Sequence, residues 1–267
     1  MYKGYRNDII HNTVSCIWID FYGFYHFNDQ LEKEKEFFFN MYDKKENLIT
    51  REDLKSLPFI MKKYLEKVGV IGMCKDCNII FKQIGRIKTS PLKGWTSFSA
   101  TQYMTAKHPG FIWSAKAFPL FIRDKSINGK GEVKVSLLGL KNVALSEGIK
   151  TDISALVRCL GELIFYPIGF LSENISWEEI NEHSVKAHVS INNIYAEGTF
   201  HFNDDGLIVS FESQRYCGEK LEYFTGKAEN YKVMKGLCIP TTMKAIWNLE
   251  DGDFEYFNSD VHGYKID

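Results

Sequence analysis

Regular alternation of apolar and polar side chains between residues 185 and 215 constrains the fold more than any other feature of this sequence. Three segments carry the alternation and are separated by turn residues: 185–191, 194–202 and 207–215. A two-residue loop pairs Val185 with Phe200, and a four-residue loop pairs Phe200 with Val209, so the apolar sides share one face. The pattern predicts an antiparallel meander, and its parity places Arg215 on the inner, apolar face.

A second alternating region precedes the first and spans residues 79–145. Its turn signals lie at residues 91–94, 108–110 and 128–131. Across the central turn, the expected register pairs Met104 with Trp113 and Gln102 with Ala115. Gln102 therefore points inward, because successive strand residues face opposite sides of a sheet. Small inner residues recur in both meanders: Ala100, Ala115, Ala117, Ala187, Ala196 and Gly198.

Helical segments flank and separate the two meanders. We predict helices over residues 29–42, 54–68 and 151–166. Thr50 and Asp53 resemble a capping box before the second helix, and Pro167 ends the third. This order predicts an α+β protein with a large curved antiparallel sheet or incomplete β-barrel, one covering helix and N-terminal helices. We expect an N-terminal helical extension over residues 1–50 and a single β-rich domain over residues 51–267.

Charge and hydropathy exclude several classes of partner. The chain has 33 Lys and Arg against 34 Asp and Glu, a formal net charge of −1, which argues against a nucleic-acid partner. The most apolar N-terminal stretch, residues 14–25, is interrupted by Asp20 and Gly23. It is too short and too polar for a transmembrane segment or a secretory signal. We therefore expect a cytoplasmic protein with no transmembrane segment.

Cysteine spacing predicts neither a metal site nor a cofactor. Only Cys74 and Cys77 have the spacing of a metal-ligand or redox pair, and a zinc site would need a second such pair. A redox pair normally opens a helix inside a βαβ unit, whereas this pair precedes a β-like run. We expect reduced thiols with a structural role, no metal and no cofactor.

The common catalytic motifs are missing from the sequence. It contains no GxSxG, HExxH, GxxxxGK[ST] or strand-linked GxGxxG motif, and its seven histidines form no close ligand pair. A nucleophile, a base and an orienting group cannot be assigned from these residues. An enzymatic activity therefore stays uncertain, and we favour a protein that is not an enzyme.

Charged residues on the third predicted helix give two alternatives. Arg158 and Glu162 are one turn apart and can form a surface ion pair, in which case the small inner residues simply let the helix pack closely. Alternatively, Glu162 is the partner of an inward arginine, Arg158 or Arg215, because an unpaired buried charge is strongly destabilising. In that case the small residues leave room for a ligand between the sheet and the helix.

Several short motifs occur in a characteristic order along residues 54–264. They are LPxxxxxYL from Leu57, WxxFxAxQ from Trp95, PGFxW from Pro109 and RxLxExxxxP from Arg158, followed by Trp177, Asp205-Gly206, Arg215, Gly236, Ile239-Pro240 and Trp247. Together they resemble an uncharacterised bacterial family known only as a domain of unknown function. The chain departs from the family pattern at Cys159, where a tyrosine is expected, and at Phe165-Tyr166, where a tryptophan usually precedes the proline.

This resemblance implies no activity. More remotely, the combination of an inward Ala-x-Gln strand, a Pro-Gly-Phe-x-Trp hairpin and covering helices is similar to the lipoprotein-carrier fold, whose incomplete barrel holds acyl chains. The similarity concerns the fold, and a fold does not determine a function. Those carriers work outside the cytoplasm, which differs from the location expected here.

Three functions follow from these observations. The first is a carrier or sensor that holds a lipid, or another apolar or amphiphilic small molecule, between the sheet and the third helix. Its expected ligand-binding residues are Trp95, Gln102, Trp113, Arg158, Glu162 and Arg215. The second is an enzyme that uses Glu162 as acid or base, with Arg158 or Arg215 as an anion clamp. The third is an interaction module that binds a protein partner.

Overall fold

The computed structural model describes residues 4–41, 47–105 and 108–267, with side chains described from residue 22 onward. These residues form one antiparallel sheet of thirteen strands, in the order β6-β5-β4-β3-β2-β1-β13-β12-β11-β10-β9-β8-β7. The strands are β1 (Asn78–Ile87), β2 (Thr96–Thr105), β3 (Gly110–Ala117), β4 (Leu120–Ile127), β5 (Lys130–Leu137), β6 (Lys141–Ser146), β7 (Ile175–Asn181), β8 (Ser184–Ile191), β9 (Ile194–Phe202), β10 (Ile208–Cys217), β11 (Lys220–Met234), β12 (Leu237–Leu249) and β13 (Gly252–Ile266).

Helices cover both faces of the sheet. The described α-helices are α1 (Gly4–Phe39), α2 (Phe59–Val68) and α3 (Ile149–Glu162), and short 3-10 segments lie at Arg51–Leu54, Leu163–Phe165 and Pro167–Leu171. Helix α3 packs against β4 and β5 on one side and against β9 and β10 on the other, although these strands are far apart in the sheet order. The sheet therefore curls around α3, which confirms the predicted α+β half-barrel with a covering helix.

Glycines let α3 approach the sheet closely. A Cβ atom at Gly131 on β5 would lie 2.5 Å from the backbone oxygen of Thr151, and one at Gly161 on α3 would lie 2.6 Å from the Phe211 ring. Asp152 fixes the start of the helix, because its Oδ1 accepts a 2.7 Å hydrogen bond from the Gly131 amide. The small residues on the inner face therefore set the distance between the helix and the strands.

Helix α1 covers the opposite, convex face of β2 to β5. Leu31 and Phe38 pack against Tyr103 and Ile112, and Phe27 contacts the ring of Phe121. An ion pair of 3.1 Å joins Glu34 Oε2 to Arg123 Nε at this interface. The described residues contain no helix with both the length and the apolar character needed to cross a bilayer.

The register predicted for the first meander is confirmed at its start and wrong at its end. Val185 pairs with Phe200 as predicted. However, Phe200 pairs with Phe211 rather than with Val209, because a β-bulge lies between Ile208 and Ser210. The bulge turns Val209 outward and leaves Phe211 inward, so Arg215, four residues after Phe211, keeps its predicted inner face.

The register predicted for the second meander is shifted by two residues. Gln102 pairs with Trp113 rather than with Ala115, and Met104 pairs with Phe111 rather than with Trp113. The shift arises because Gly110 is the first residue of β3 and not part of the turn. A glycine is favoured there because a Cβ atom would lie 2.8 Å from the backbone oxygen of Ser126 on β4 and 3.1 Å from the ring of Phe38 on α1. Since the shift is even, Gln102 still faces inward.

The predicted helices differ from the structure mainly at their ends. The first begins at Gly4 instead of residue 29 and ends at Phe39, and Tyr42 lies outside the described residues. The second is divided by Pro58, which precedes α2 and cannot donate a backbone hydrogen bond within it. The third begins at Ile149, and its last predicted turn, from Leu163, is a 3-10 segment before Pro167.

Candidate functional site

A buried charged cluster lies where α3 crosses β2 and β4. The Nε of Arg158 donates to Glu162 Oε1 at 2.9 Å, and its Nη1 donates to Asp124 Oδ2 at 2.6 Å. Gln102 completes the cluster, because its Nε2 donates to Glu162 Oε2 at 2.6 Å and its Oε1 accepts from Arg158 Nη2 at 3.3 Å. The amide nitrogen and oxygen of Gln102 and both carboxylate oxygens of Glu162 therefore form hydrogen bonds within the protein.

Burial decides between the two alternatives for Arg158 and Glu162. Their side chains are only 12% and 6% exposed, so the pair is not a surface ion pair. The Arg158 guanidinium also stacks on the rings of Phe111 and Trp113, at 4.5 and 5.1 Å from their centroids. Burial alone would lower the pKa of Arg158, but the adjacent carboxylates of Glu162 and Asp124 outweigh it and raise the pKa above its usual value.

A second layer of hydrogen bonds holds Trp113 in place. Its Nε1 donates to Gln83 Oε1 at 3.0 Å, and Gln83 Nε2 donates to Ser259 Oγ at 3.2 Å. All three side chains are buried. Residues of two neighbouring strands, Gln83 of β1 and Ser259 of β13, therefore hold the indole ring that supports Arg158.

A mostly apolar cavity of about 160 Å³ adjoins the charged cluster between α3 and the concave face of the sheet. Its apolar wall is formed by Ile87, Trp113, Ile122, Val133, Ile164, Phe211, Phe224, Met243, Ala245 and Phe257. Arg158, Glu162, Asp124, Arg215 and Lys227 supply charged groups to the same cavity. An apolar cavity with a few convergent polar groups is the usual form of a small-molecule site.

Arg215 lies at the edge of this cavity. Its Nε donates to the backbone oxygen and to the Oγ of Ser154, both at 3.0 Å, and its Nη1 donates to Tyr256 Oη at 3.0 Å. The guanidinium also lies over the rings of Phe224 and Trp247. These contacts hold the side chain in one orientation without neutralising its charge.

No carboxylate of the described residues lies within 4.0 Å of the Arg215 guanidinium. Glu222 is directly opposite on β11, yet it does not form an ion pair with Arg215 at that distance. The positive charge of Arg215 is therefore available to an anionic group, in contrast to the fully paired charge of Arg158.

A second, more polar cavity of about 220 Å³ continues from the first towards the start of α3. Asp124, Val133 and Arg215 line both cavities. Two hydroxyl groups of the second cavity, Ser146 Oγ and Thr151 Oγ1, lie 2.8 Å apart. The two cavities together form an apolar chamber with a polar end.

Five of the six ligand-binding residues predicted from the sequence come together here. Trp113, Arg158, Glu162 and Arg215 line the apolar cavity, and Gln102 lies behind it as the hydrogen-bond partner of Arg158 and Glu162. Trp95 lies elsewhere. It follows the β1–β2 turn and is contacted by Arg86 and Lys88 rather than by residues of the cavity.

Sequence reasoning missed Asp124 and Tyr256. Asp124 pairs with Trp113 across β3 and β4, so the alternation that placed Gln102 inward would also have placed Asp124 inward. Its neighbour Arg123 conceals this signal, because an adjacent Arg-Asp pair in a sequence is typical of a solvated strand. Tyr256 has no comparable signal, since its contact with Arg215 joins strands that are not neighbours.

The described part of the chain also contains cysteine thiols and potential metal ligands outside the charged cluster. No three His, Cys, Asp or Glu side chains of these residues come close enough to hold a metal ion. Burial raises the pKa of the Cys159 thiol, which disfavours the nucleophilic thiolate. Cys77 Sγ lies 3.2 Å from the backbone oxygen of Cys74.

Comparison with known proteins gives a family match and two distant structural likenesses. Residues 47–259 match a family described as a family of unknown function, DUF6544. A LolA superfamily protein from Nitrosomonas europaea has 14% sequence identity and a TM-score of 0.45, over 77% of this chain and 92% of that chain. A domain from Vibrio parahaemolyticus, named for outer membrane lipoprotein sorting, has 11% identity and a TM-score of 0.43, over 71% and 85% of the two chains. No protein with a curated description matches the sequence.

Proposed function

We propose that the concave face of this chain, which belongs to the DUF6544 family of unknown function, binds a single-chain amphiphile with an anionic head group. The observation that carries this proposal is the Arg215 guanidinium, which has no carboxylate of the described residues within 4.0 Å and lies at the edge of an apolar cavity. Binding is the whole of the proposed function, and no reaction is assigned.

The apolar wall supplies the affinity for the ligand chain. Each buried methylene group contributes about 0.8 kcal/mol. Aliphatic side chains such as Ile122, Val133 and Met243 line the cavity on opposite sides. The Arg158 cluster closes one side, and ion pairs join Arg158 to both of its carboxylates. A ligand chain therefore gains burial without having to break the ion pairs.

The volume limits the size of the ligand. A cavity of about 160 Å³ is close to the roughly 150 Å³ engineered cavity that accepts benzene. It holds a chain of about six to eight carbons, and a longer chain has to displace α3 or leave through the polar end. We therefore favour a single-chain ligand over a diacyl lipid.

The polar end favours a head group that combines an acceptor with a donor. Arg215 supplies donors to an anionic oxygen. Asp124 Oδ1 is buried and has no hydrogen-bond partner among the described residues. A hydroxyl or ammonium group on the ligand would satisfy this oxygen, because a buried carboxylate oxygen is destabilising when it is left without a donor. A hydroxylated carboxylic acid has both features.

A chain-length series tests this proposal. We expect the affinity for straight-chain carboxylates to rise about fourfold per added methylene from butanoate and to level off near octanoate, once the cavity is full. Isothermal titration calorimetry measures these affinities. A flat series, or a steady rise through dodecanoate, would contradict binding in a cavity of this size.

A cavity-filling variant provides the control for this series. Ala245→Leu adds a side chain to the cavity wall and should abolish octanoate binding while the unfolding midpoint stays at or above that of the wild type. Ala144→Leu makes the same substitution on exposed β6 and should leave binding unchanged. Equal octanoate affinity in both variants would place the ligand outside this cavity.

Two predictions from the sequence form part of this proposal. We propose that the protein is cytoplasmic, on the grounds that Cys159, Cys217 and Cys238 of the described residues form no disulfide. We also propose that residues 51–267 form the ligand-binding unit and that residues 1–50 form an extension. The position of α1 on the convex face, away from the cavity, supports this division.

A further inference from the structure

Three hairpin turns, formed by successive pairs of strands, lie at one end of the half-barrel. They are residues 88–95 between β1 and β2, residues 118–119 between β3 and β4, and residues 138–140 between β5 and β6. The second and third turns are in contact, because the Leu138 amide donates to Pro119 O at 2.8 Å. The first turn is beside them, since Ser99 pairs with Lys116. We call these three turns the rim.

Each turn of the rim exposes one large apolar side chain. Leu92 is 99% exposed, Phe118 is 75% exposed, and Leu140 is 41% exposed. Isolated exposed apolar residues are common, but three on adjacent turns at one end of a sheet form a pattern. The three side chains project from three different turns.

The rim contains basic residues and no acidic residues. The sequence has no Asp or Glu between Asp76 and Asp124, or between Glu132 and Glu147, and both intervals contain rim turns. The cations at or beside the turns are Arg86, Lys88, Lys93 and Lys141. None of them lies within 4.0 Å of a carboxylate of the described residues. Their charge is therefore not neutralised within this part of the protein.

Aromatic residues complete this arrangement. Trp95 lies at the base of the first turn, where Arg86 Cζ and Lys88 Nζ are 4.7 and 4.9 Å from its ring centroid. Helix α1 crosses the rim at Gly23, where a Cβ atom would lie 2.0 Å from the backbone oxygen of Leu138. Its neighbour Tyr22 is exposed. Tryptophan and tyrosine beside basic residues are typical of membrane–water interfaces.

The remaining turns at the same end differ in charge. The β10–β11 turn contains Glu219, and the β12–β13 turn contains Glu250 and Asp251. At this end, the turns that have basic residues at or beside them and no acidic residue are therefore those of β1 to β6. Ile87, the last residue of β1, lines the apolar cavity and directly precedes the first rim turn. The rim is thus adjacent to the proposed ligand site.

We infer that the rim docks onto the surface of an anionic lipid bilayer. Leu92, Phe118 and Leu140 enter the interface, while the unpaired cations lie near the lipid phosphates. A bilayer fits these observations better than a protein partner, because three separated apolar tips among cations match a deformable anionic surface rather than a complementary flat one. This inference is independent of the cavity ligand, since it rests on residues outside the cavity.

Vesicle co-sedimentation of the full chain tests this inference. We expect binding to vesicles of phosphatidylglycerol and phosphatidylcholine, and little binding to phosphatidylcholine alone. Leu92→Glu should weaken binding about tenfold or more, because an apolar tip becomes a charged group. Removing one cation, as in Lys93→Ala, should weaken it about fivefold at low salt. Added salt should weaken the wild-type interaction, because salt screens exposed charges.

Val233→Glu is the matched control. Val233 is 74% exposed and lies near the opposite end of the sheet on β11, so the same substitution there should leave vesicle binding unchanged. Octanoate binding and the unfolding midpoint should be unaltered in Leu92→Glu, which separates this test from that of the cavity. Equal effects of the two glutamate variants would overturn the inference, as would equal binding to anionic and neutral vesicles. A dimer that dissociates in Leu92→Glu, without vesicle binding, would assign the rim to a second copy of the chain instead.

Discussion

Replacing Arg158 by alanine should destabilise the fold by about 3–5 kcal/mol, the largest effect expected for any single substitution in this protein. The substitution leaves Glu162 and Asp124 buried without their cation, and it removes the guanidinium that stacks on Phe111 and Trp113. Two uncompensated carboxylates in a poorly solvated interior are strongly unfavourable. Urea denaturation, with the midpoint and the slope compared to those of the wild type, measures the change.

A combined variant distinguishes the cost of unpaired charges from loss of packing. Arg158→Met together with Glu162→Leu, Asp124→Leu and Gln102→Leu removes all three charges, removes the Gln102 amide that would otherwise lose both partners, and keeps most of the side-chain volume. We expect it to be clearly more stable than Arg158→Ala, because apolar replacement of a buried ion cluster is often neutral. If the combined variant were as unstable as the single one, the ion pairs would not account for the effect.

Replacing Arg215 by alanine should weaken octanoate binding about ten- to a hundredfold, the largest effect expected on ligand affinity. The estimate corresponds to losing a charge-assisted hydrogen bond of about 1.5–3 kcal/mol. Stability should change much less than in Arg158→Ala, because Arg215 is half-exposed and has no carboxylate partner of the described residues within 4.0 Å. Calorimetric titration of the folded variant measures the affinity.

A neutral ligand and a second arginine serve as controls for this prediction. Octanol has the same chain without the anionic group, so Arg215→Ala should change its affinity far less than that of octanoate. Arg86→Ala removes an exposed arginine that contacts Trp95 outside the cavity and should not affect octanoate. An equal loss for octanol and octanoate would mean that Arg215 shapes the cavity instead of binding the head group.

The sequence allowed us to predict which face of the sheet each side chain occupies, because a register shift of two residues leaves the alternation of side chains unchanged. Gln102 and Arg215 face inward as predicted, although the pairing around each of them differs from the expected one. The bulge near Val209 gave no signal, since a valine satisfies the apolar alternation whether it faces inward or outward. Exact registers depend on such local irregularities, which a single sequence does not reveal.

Contacts between distant segments account for most of what the sequence left open. Gly110 is predicted to lie in a turn, yet it is the first residue of β3, where a Cβ atom would lie 2.8 Å from the backbone oxygen of Ser126 on β4. The pairing of Arg158 with Glu162 could be predicted from their helical spacing, whereas the bond to Asp124 depends on how α3 crosses β4. Trp95 was grouped with the site by its aromatic character alone, and its spatial neighbours proved to be the rim cations.

Native mass spectrometry of the full chain with octanoate tests the central claim, that the cavity beneath α3 binds a single-chain amphiphile. We predict one octanoate per wild-type chain and none on Ala245→Leu, whose added side chain occupies the cavity. The purified wild-type protein should also release any co-purified ligand as a single-chain amphiphile on solvent extraction. A bare wild-type mass in excess octanoate, or equal adducts on the wild type and Ala245→Leu, would contradict the claim.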